Sequence, residues 1–441
     1  MNRKKFYIET YGCQMNFSDS EIVASILTKE GYTGISDPLE ADIIFLNTCS
    51  IRDNAEKRIL HRLQALRSLK KKKPGLVVGL LGCMAERLRE DLLEKEPVLD
   101  IIAGPDAYRD LPLLIRQVNA GEKGVNTQLS AEETYADITP VRYDSNGVSA
   151  FISIMRGCEN FCAYCVVPYV RGRERSRDEH SIVKEASELF SQGYREVTLL
   201  GQNVNSYRWE KEGITVNFAN LLEKVALINP LLRVRFATSH PKDLSDELLE
   251  VIARHDNICK AIHLPVQSGS NFILGMMNRG YTREMYMDRI SAIRRILPGC
   301  SISTDIIAGF CDESEDDHKD TLSLMEWVGF DAAYMFRYSE RPDTFAADRY
   351  KDNIPDEVKE QRLREIIDLQ QKLSLKSNRR DLHKNFEVLV EGFSKRSSEQ
   401  LSGRNSQNKM VVFPATGNRP GDYVTVNVER CTSATLIGQA I

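Results

Sequence analysis

The sequence predicts an α/β protein built from three successive parts. Short apolar strands alternate with helical patterns over residues 1–125, and the same alternation returns over residues 144–375. In residues 376–441 the hydrophobic period changes to two, which is typical of strands. These patterns predict an N-terminal doubly wound parallel-sheet domain, a central partial TIM barrel of about six βα units and a C-terminal small β-barrel.

The first part has the composition of a parallel sheet that is covered on both faces. Its strands are apolar throughout, and helices separate them. The predicted strands are Phe6–Thr10, Asp42–Leu46, Leu76–Leu81 and Leu99–Ala103, and the predicted helices are Asp19–Lys29, Asp53–Leu69 and Ala85–Leu93. The polar stretch 125–147, which contains Pro140 and Gly147, shows no period and is expected to be a linker.

The second part repeats the strand and helix alternation about six times. A closed barrel needs eight such units, so an open, partial barrel is expected. The predicted strands are Phe151–Met155, Glu196–Leu200, Val234–Thr238, Ala261–Val266, Ser301–Ala308 and Ala332–Tyr338. A polar helix from Asp356 to about Leu375 then leads to the third part, with strands predicted at Phe386–Val390, Met410–Phe413 and Tyr423–Val428.

The composition is that of a globular protein without a membrane span. Of the 441 residues 42% are hydrophobic and 28% charged, and the net charge is −4. No stretch reaches the roughly 18 apolar residues that a membrane helix needs, and no apolar region of a secretory signal follows the basic N-terminus. A soluble cytoplasmic protein is therefore expected. In that reducing compartment, clustered cysteines indicate metal binding or catalysis.

Three cysteines follow the first strand of the central part with the spacing C-x3-C-x2-C. They are Cys158, Cys162 and Cys165. Three thiolates on one loop can hold three irons of a [4Fe–4S] cluster, which leaves the fourth iron open to a substrate. A zinc site or buried structural cysteines are the alternatives, but zinc normally takes a fourth protein ligand at a paired spacing.

A second set of three cysteines follows strands of the first part. Cys13, Cys49 and Cys83 each come just after the carboxyl end of a predicted strand. Those ends meet at one edge of an open parallel sheet, so the three side chains are expected to converge on a second cluster. The alternative is three buried structural cysteines. The remaining four share no spacing and are interpreted as structural: Cys259, Cys300, Cys311 and Cys431.

The first motif, with Tyr164 just before its third cysteine, resembles the radical S-adenosylmethionine superfamily. Two three-cysteine sites in this order resemble the methylthiotransferases of that superfamily, over nearly the whole chain. The stretches that carry the resemblance are Gly12–Asn16, Asn47–Arg52, Gly82–Arg87, Cys165–Arg177, Leu200–Tyr207, Thr238–Pro241 and His263–Ser270. Two loops, Gly309–Glu313 and Ser339–Thr344, depart from the pattern that is usual in this family.

The resemblance implies two [4Fe–4S] clusters, S-adenosylmethionine and a tRNA substrate. The open iron would bind S-adenosylmethionine, and one-electron reduction would cleave it to methionine and a 5′-deoxyadenosyl radical. The radical would activate carbon 2 of an isopentenylated adenosine next to the anticodon, which would receive sulfur and a methyl group. The implied partners are an electron donor such as flavodoxin or ferredoxin and a sulfur or cluster donor protein. The implied C-terminal domain is a TRAM domain.

Polar residues after two strands of the central part are candidates for cofactor binding. Gln202, Asn203 and Asn205 follow the second strand, at the end of a barrel where active sites lie. By resemblance they bind S-adenosylmethionine, together with Tyr164 and Ser239. Turn formation is the other interpretation of the Asn and Gln residues. Two histidines at strand ends, His240 and His263, are interpreted as hydrogen-bonded structural residues.

Two basic features are candidates for RNA binding. Arginine occurs at every second position after the first motif, at Arg171, Arg173, Arg175 and Arg177. Guanidinium groups suit bidentate contacts to phosphate, although a solvated basic loop would show the same pattern. Lys376–Ile441 carries 10 Lys and Arg against 6 Asp and Glu, a net +4, which suits an RNA-binding barrel. A passive structural cap is the alternative.

Two other functions remain open at this point. Related enzymes methylthiolate threonylcarbamoyl-adenosine in tRNA or an aspartate of a ribosomal protein. In a different class, the chain would be a non-enzymatic iron–sulfur protein that binds RNA. Detection of 5′-deoxyadenosine under reducing conditions would exclude this second class.

Overall fold

The computed structural model describes residues 3–50, 53–89, 91–142 and 146–441. The chain forms two compact units. The first comprises Met1–Asp144, Met155–Phe161 and Cys165–Ser181, and the second comprises Ser145–Ile154, Cys162–Tyr164 and Ile182–Ile441. None of the helices in the described ranges combines the length and apolar character that a membrane crossing requires.

The first unit contains a six-stranded parallel sheet in the order β2-β1-β3-β4-β5-β6. Up to residue 126 its elements are β1 (Lys5–Thr10), α1 (Gln14–Lys29), β2 (Thr33–Gly34), β3 (Ile43–Thr48), α2 (Asp53–Lys72), β4 (Val77–Gly82), α3 (Cys83–Leu88), α4 (Asp91–Lys95), β5 (Ile101–Ala103), α5 (Leu111–Asn119) and β6 (Gly124–Asn126). Alternate residues of β3 enter two different apolar clusters, Phe45 in one and Leu46 in the other. Helices therefore cover both faces, which confirms the doubly wound sheet.

The structure differs from the predicted elements where polar residues are buried or strands are short. Helix α1 begins at Gln14 rather than Asp19, because its first turns bury polar side chains such as Asn16 and give no hydrophobic period. The predicted helix Ala85–Leu93 is two helices, α3 and α4, with Arg89 at a positive φ of 45° after the first. Strands β2 and β6 have two and three residues, too few for a pattern.

The stretch predicted as a linker packs into the first unit. Tyr135 is buried and stacks on Tyr108 with ring centroids 5.7 Å apart. Its hydroxyl donates a hydrogen bond to the carbonyl of Pro105 over 3.0 Å. The burial of Tyr135 could not be predicted, because the stretch around this residue shows no hydrophobic period. Residue 144, where the second domain is predicted to begin, lies outside the described residues.

The chain then passes through both units. Strand β7 (Ser149–Ser153) belongs to the second unit, whereas β8 (Met155–Arg156), α6 (Val167–Arg171) and β9 (Arg175–Ser176) belong to the first. Later elements of the central part are α7 (Glu179–Ser191), β10 (Glu196–Leu200), β11 (Arg208–Lys211), β12 (Ile214–Asn217), α8 (Phe218–Ala226), β13 (Arg233–Ala237), α9 (Asp246–Arg254), β14 (Ala261–His263), α10 (Asn271–Met276), α11 (Arg283–Ile296), β15 (Ser301–Ala308), α12 (Glu315–Val328), β16 (Ala332–Arg337), α13 (Phe345–Arg349) and α14 (Asp356–Arg379).

Six parallel strands of the second unit form two three-stranded sheets, β7-β10-β13 and β14-β15-β16. A parallel bridge between Val234 and Ile258 continues the first sheet beyond β13. Within each sheet the strands are parallel and follow one another in chain order, which confirms the partial barrel of six βα units. The hairpin β11–β12 was not predicted, because its strands are mostly exposed and polar.

The C-terminal segment is a closed five-stranded barrel in the order β17-β18-β19-β21-β20. The strands are β17 (Asn385–Ser394), β18 (Ser397–Asn405), β19 (Met410–Pro414), β20 (Tyr423–Cys431) and β21 (Leu436–Ala440). The mostly polar β18 escaped prediction, although Leu401 enters the barrel core. Buried Arg235 joins this barrel to the central part, since it pairs with Glu196 over 2.7 Å and donates to the carbonyl of Asn405 over 2.8 Å.

Candidate cofactor and RNA sites

Three neighbouring strands of the first sheet place three cysteines at one edge. Cys49 follows β3 directly, Cys83 follows β4 directly, and Cys13 comes between β1 and α1. The Cys13 thiol hydrogen-bonds with Cys49, and Cys83 lies close enough to Cys13 for their charges to interact. The predicted convergence of these cysteines therefore occurs, and we refer to them as the auxiliary trio.

Glycine is required where the loops of the auxiliary trio meet. A Cβ on Gly12, which has a φ of 122°, would lie 2.3 Å from Cβ of Cys49. A Cβ on Gly82, with a φ of 86°, would lie 2.5 Å from Oδ1 of Asn47. No larger residue fits either position without moving the cysteine loops. Ile51 and Arg52, the last residues of the Asn47–Arg52 motif, lie outside the described residues.

A buried guanidinium supports the auxiliary trio. Arg171 donates from Nε to Sγ of Cys83 over 3.2 Å and from Nη2 to Oδ2 of Asp19 over 2.8 Å. Burial raises the pKa of Cys83, and the charge of Arg171 opposes this effect. The hydrogen bond with Cys49 lowers the pKa of Cys13 to about 6, with burial opposing and Arg171 assisting. The environment therefore favours the thiolate of Cys13, the form that binds iron, whereas burial disfavours the thiolate of Cys83.

The auxiliary trio fits an iron–sulfur cluster better than a single metal ion. No group of three His, Cys, Asp or Glu residues in the described ranges converges on one metal position. In a [4Fe–4S] cluster each thiolate binds its own iron, so its ligands do not meet at one point. An all-thiolate donor set with a nearby cation matches this requirement.

Different residues contact the two parts of the C-x3-C-x2-C loop. A Cβ on Gly157 would lie 1.9 Å from the carbonyl oxygen of Arg173, so this position also requires glycine. In the second unit, buried Arg279 donates from Nη1 to Sγ of Cys162 over 3.1 Å and to the hydroxyl of Tyr164 over 3.4 Å. Cys158 and Cys165 belong to the first unit. Within the second unit, a cysteine sulfur beside a buried cation suits a cluster ligand.

Polar side chains after β10 and β13 carry buried atoms that need partners. Among the described residues, the side-chain atoms without a hydrogen-bond partner include Oε1 of Gln202, Oδ1 of Asn203, Oδ1 and Nδ2 of Asn205, Oγ of Ser239 and Nε2 of His240. Each such atom costs about 1–3 kcal/mol unless a ligand or water pairs with it. These atoms fit a ligand rich in polar groups, such as S-adenosylmethionine. Turn formation alone does not explain them.

The two histidines have separate environments. Burial lowers the pKa of His240 to about 2, with smaller contributions from Arg279 and Lys242, so its imidazole is neutral. Its Nδ1 accepts from the Lys242 amide over 3.4 Å, which leaves the proton on Nε2. His240 therefore offers a donor beside Ser239. His263 contacts Oγ of Ser303 from Nδ1 over 3.0 Å, as expected for a structural residue.

Most of the arginine run does not face solvent. Arg171 is buried against Cys83 and Asp19, Arg175 is buried against Asp106 at 3.0 Å, and buried Arg177 donates to Oγ of Ser181 over 2.8 Å. Only Arg173 is exposed. Arg175 in β9 and Arg177 after it are both buried, so of the four arginines only Arg173 has an exposed side chain.

Sequence reasoning missed the buried ionic network around Asp19. Arg156 donates from Nη1 to Oδ1 of this carboxylate over 2.8 Å and from Nη2 to the carbonyl of Pro105 over 3.0 Å. The two arginines, 156 and 171, hold the pKa of Asp19 below its ordinary value against the effect of burial. The position of Arg156 directly before Gly157 and Cys158 was the one available signal.

Three family models match the chain in order. They are described as uncharacterized protein family UPF0004 at residues 5–104, radical SAM superfamily at residues 152–325 and TRAM domain at residues 380–441. Among solved structures, the radical S-adenosylmethionine methyltransferase TsrM from Kitasatospora setae aligns with a TM-score of 0.59 at 14% identity, over 79% of this chain and 74% of that chain. At this identity the likeness concerns the fold alone.

Curated relatives match over the full length. A protein of Bacteroides fragilis is 58% identical over 100% of this chain and 96% of its own length. Proteins of Parabacteroides distasonis and Chloroherpeton thalassium are each 57% identical, also over 100% of this chain and 96% of their own. All three bear the name tRNA-2-methylthio-N(6)-dimethylallyladenosine synthase.

Proposed function

The chain belongs to the tRNA-2-methylthio-N(6)-dimethylallyladenosine synthase family, and we propose that it carries out the reaction of that name. It inserts sulfur and a methyl group at carbon 2 of the isopentenylated adenosine next to the anticodon, giving 2-methylthio-isopentenyladenosine. The observation that carries this proposal is full-length identity of 55–58% to relatives with one name. The auxiliary trio and the C-x3-C-x2-C loop supply the two donor sets that such chemistry requires.

The proposed domains follow the three parts of the sequence. Residues 1–125 form the domain of the auxiliary cluster, residues 144–375 the radical S-adenosylmethionine domain and residues 376–441 the TRAM domain. The limit at residue 375 is supported by the closed barrel that begins at Asn385. The packing of Tyr135 supports counting the stretch after residue 125 with the first domain as well.

The cofactors are two [4Fe–4S] clusters and S-adenosylmethionine. When bound, they supply a carbon-centred radical, the sulfur and the methyl group, which carbon 2 needs because its C–H bond is neither acidic nor electrophilic. Cys158, Cys162 and Cys165 hold one cluster, and the auxiliary trio holds the other. Both donor sets contain thiolates beside a buried guanidinium, which suits the anionic sulfur of a cluster.

The chain's own residues bind and orient these groups. Gln202, Asn203, Asn205 and Ser239 present the unpartnered buried atoms that receive the polar groups of S-adenosylmethionine. Tyr164 is held by Arg279 over 3.4 Å, which fixes the end of the cluster loop. Such positioning, rather than acid–base catalysis, is the main task of the protein in cofactor chemistry.

The tRNA is bound by the TRAM domain and by Arg173. The target adenine leaves its stack to reach the clusters, at a cost of a few kcal/mol. The reaction consumes electrons and sulfur, so the proposed partners are an electron donor such as flavodoxin or ferredoxin and a sulfur or cluster donor protein. A tRNA substrate supports the proposal of a cytoplasmic enzyme.

Mass spectrometry of tRNA nucleosides tests the proposal directly. A strain without this gene is expected to lose 2-methylthio-isopentenyladenosine and to accumulate isopentenyladenosine, and the intact gene is expected to restore the product. A gene with Cys49→Ala is expected to fail. Cys300→Ala, which changes a cysteine outside both sites, is the matched control and is expected to complement. Loss of a methylthiolated threonylcarbamoyl-adenosine or ribosomal aspartate instead would contradict the proposed substrate.

A further inference from the structure

Arg171 stands out as a buried cation in contact with a proposed cluster ligand. Its side chain is 3% exposed, and Cys83, which accepts its Nε hydrogen bond at 3.2 Å, is 2% exposed. Val166, just before helix α6, and Val170, within it, pack against Cys83. The thiolate therefore lies in an apolar environment in which this guanidinium is its hydrogen-bond donor.

The positive charge of Arg171 is only partly neutralised by its carboxylate partner. Asp19 accepts from Arg171 at 2.8 Å, but it also accepts from Arg156 at 2.8 Å. One buried carboxylate is thus shared by two buried guanidinium groups. Cys83 of the auxiliary trio lies beside this excess positive charge, in hydrogen-bond contact with Arg171.

One guanidinium nitrogen of Arg171 has no hydrogen-bond partner among the described residues. Nη1 is buried and has no hydrogen-bond partner within the described ranges, whereas Nε and Nη2 are both used. A buried guanidinium nitrogen without an acceptor is costly, and in Arg171 this nitrogen belongs to a side chain that already donates to Cys83. The sulfides and thiolates of an iron–sulfur cluster are acceptors of this kind.

We propose that Arg171 is the positioning residue that sets the reduction potential of the auxiliary cluster. It binds the Cys83 thiolate through Nε and offers Nη1 to a second sulfur of the cluster. A cation and N–H···S hydrogen bonds stabilise the reduced, more negative cluster, so Arg171 raises the potential. This inference rests on the proposed auxiliary cluster and goes beyond the ligand assignment.

A purely structural ion pair is the competing explanation. Arg175 is such a pair in the same segment, because it is buried, pairs with Asp106 at 3.0 Å and makes no hydrogen bond to a cysteine among the described residues, although its Nε is also buried without a partner. Arg175→Met therefore serves as the matched control. It removes a buried guanidinium of the same unit that donates to the backbone carbonyl of Arg171 over 3.1 Å but makes no hydrogen bond to a cysteine among the described residues, so it also controls for loosening of the Arg171 backbone.

A redox titration of the full chain tests the proposal. The variant Cys158→Ala/Cys162→Ala/Cys165→Ala is used as background, so that only the auxiliary cluster is reconstituted. Dithionite supplies one electron to convert [4Fe–4S]²⁺ to [4Fe–4S]⁺, and the electron paramagnetic resonance signal gives the midpoint. Adding Arg171→Met is expected to lower the midpoint, Arg171→Lys to recover part of the shift, and Arg175→Met to leave the midpoint at the background value.

Each outcome decides a different point. An unchanged midpoint in the Arg171→Met protein with four irons retained would overturn the inference. If the Arg171→Met protein loses its iron while the Arg175→Met protein keeps it, Arg171 is needed to hold the cluster. The Arg171→Lys protein then tests the effect on potential, and a midpoint equal to the background value would overturn the inference. A background protein that binds no iron at all would instead contradict the auxiliary cluster itself.

Discussion

Arg279 donates a hydrogen bond from Nη1 to Sγ of Cys162 over 3.1 Å, and both residues are buried. Its Nη2 donates to the carbonyl of Pro265 over 2.9 Å, which fixes the orientation of the guanidinium. The contact has the same chemistry as that of Arg171 with Cys83 in the first unit. Each three-cysteine set thus has one cysteine hydrogen-bonded to a buried arginine, although sequence patterns indicated neither arginine as a partner of cysteine.

Replacing Arg279 should impair the chemistry of the C-x3-C-x2-C loop. Arg279→Met leaves Cys162 in an apolar environment without its donor, so we expect at least a tenfold loss of 5′-deoxyadenosine formation, measured by chromatography under dithionite. Arg279→Lys keeps the charge and should retain part of the rate. Arg295→Met, at an exposed position, is the control. Cleavage at the wild-type rate in Arg279→Met would show that this hydrogen bond is dispensable.

The two cysteine sets should separate two partial activities. Replacing Cys158, Cys162 and Cys165 by Ala is expected to abolish 5′-deoxyadenosine formation and to leave about four irons per chain. Replacing the auxiliary trio, Cys13, Cys49 and Cys83, is expected to stop methylthio insertion while S-adenosylmethionine cleavage continues. Iron analysis and nucleoside mass spectrometry measure both results. Methylthiolation by the second variant at a normal rate would rule out the auxiliary site as the sulfur source.

A single methyl group at Gly12 should disrupt the auxiliary site. In Gly12→Ala the new Cβ would lie 2.3 Å from Cβ of Cys49, so the loops must separate and about four irons should be lost. Gly31→Ala is the control, because Gly31 also has a positive φ, 88°, but no atom within 4 Å of the added Cβ. It should keep both clusters and lose only about 1 kcal/mol through backbone strain. Equal iron loss in both variants would point to strain rather than to the contact.

Glu86 should make the protein less stable at higher pH. Burial raises the pKa of this carboxyl from 4.5 to about 7, and its oxygens have no hydrogen-bond partner among the described residues. Because the folded pKa is raised, stability is lost as the pH rises from 4.5 to about 7. Glu86→Gln removes this loss and should be about 2–3 kcal/mol more stable than wild type at pH 8.

The difference in urea midpoint between Glu86→Gln and wild type should shrink on going from pH 8 to pH 5.5. Glu122→Gln, at an exposed site, controls for the removal of one carboxylate. A stability difference that does not change with pH would mean that Glu86 is ionised in the folded protein throughout this range.

The turn between β17 and β18 should contribute to tRNA binding. Phe393 is 59% exposed there, and Lys395 and Arg396 are exposed without an ion pair among the described residues. Lys395→Ala/Arg396→Ala should weaken tRNA binding and reduce the slope of log K against log salt by about 1–2. Filter binding across a salt series measures both.

The matched control for this turn is Lys184→Ala/Lys319→Ala. It removes two exposed lysines that lie beside carboxylates at 3.9 Å and 3.2 Å. Uncoupled cleavage of S-adenosylmethionine should survive in both double variants. An unchanged salt slope in Lys395→Ala/Arg396→Ala would leave the barrel as a passive cap in this region.

The sequence by itself determined the three-part architecture and both cysteine sets. The period of hydrophobic residues is a local property, so six βα units and a β-rich C-terminal part could be predicted before any contact was known. The convergence of Cys13, Cys49 and Cys83 was also predictable, because neighbouring parallel strands end at the same edge of a sheet. Polar elements such as β18 and the first turns of α1 escaped prediction, since burial there does not follow hydrophobicity.

Tertiary structure alone decided which charges are buried and what they contact. Asp19 pairs with Arg156 and Arg171 across 137 and 152 positions of sequence, a distance at which no local pattern carries information. The arginine run was predicted to bind RNA, yet Arg171 hydrogen-bonds to Cys83 and Arg175 forms an ion pair with Asp106. A buried charge is stable only with a specific partner, and packing between distant segments supplies that partner.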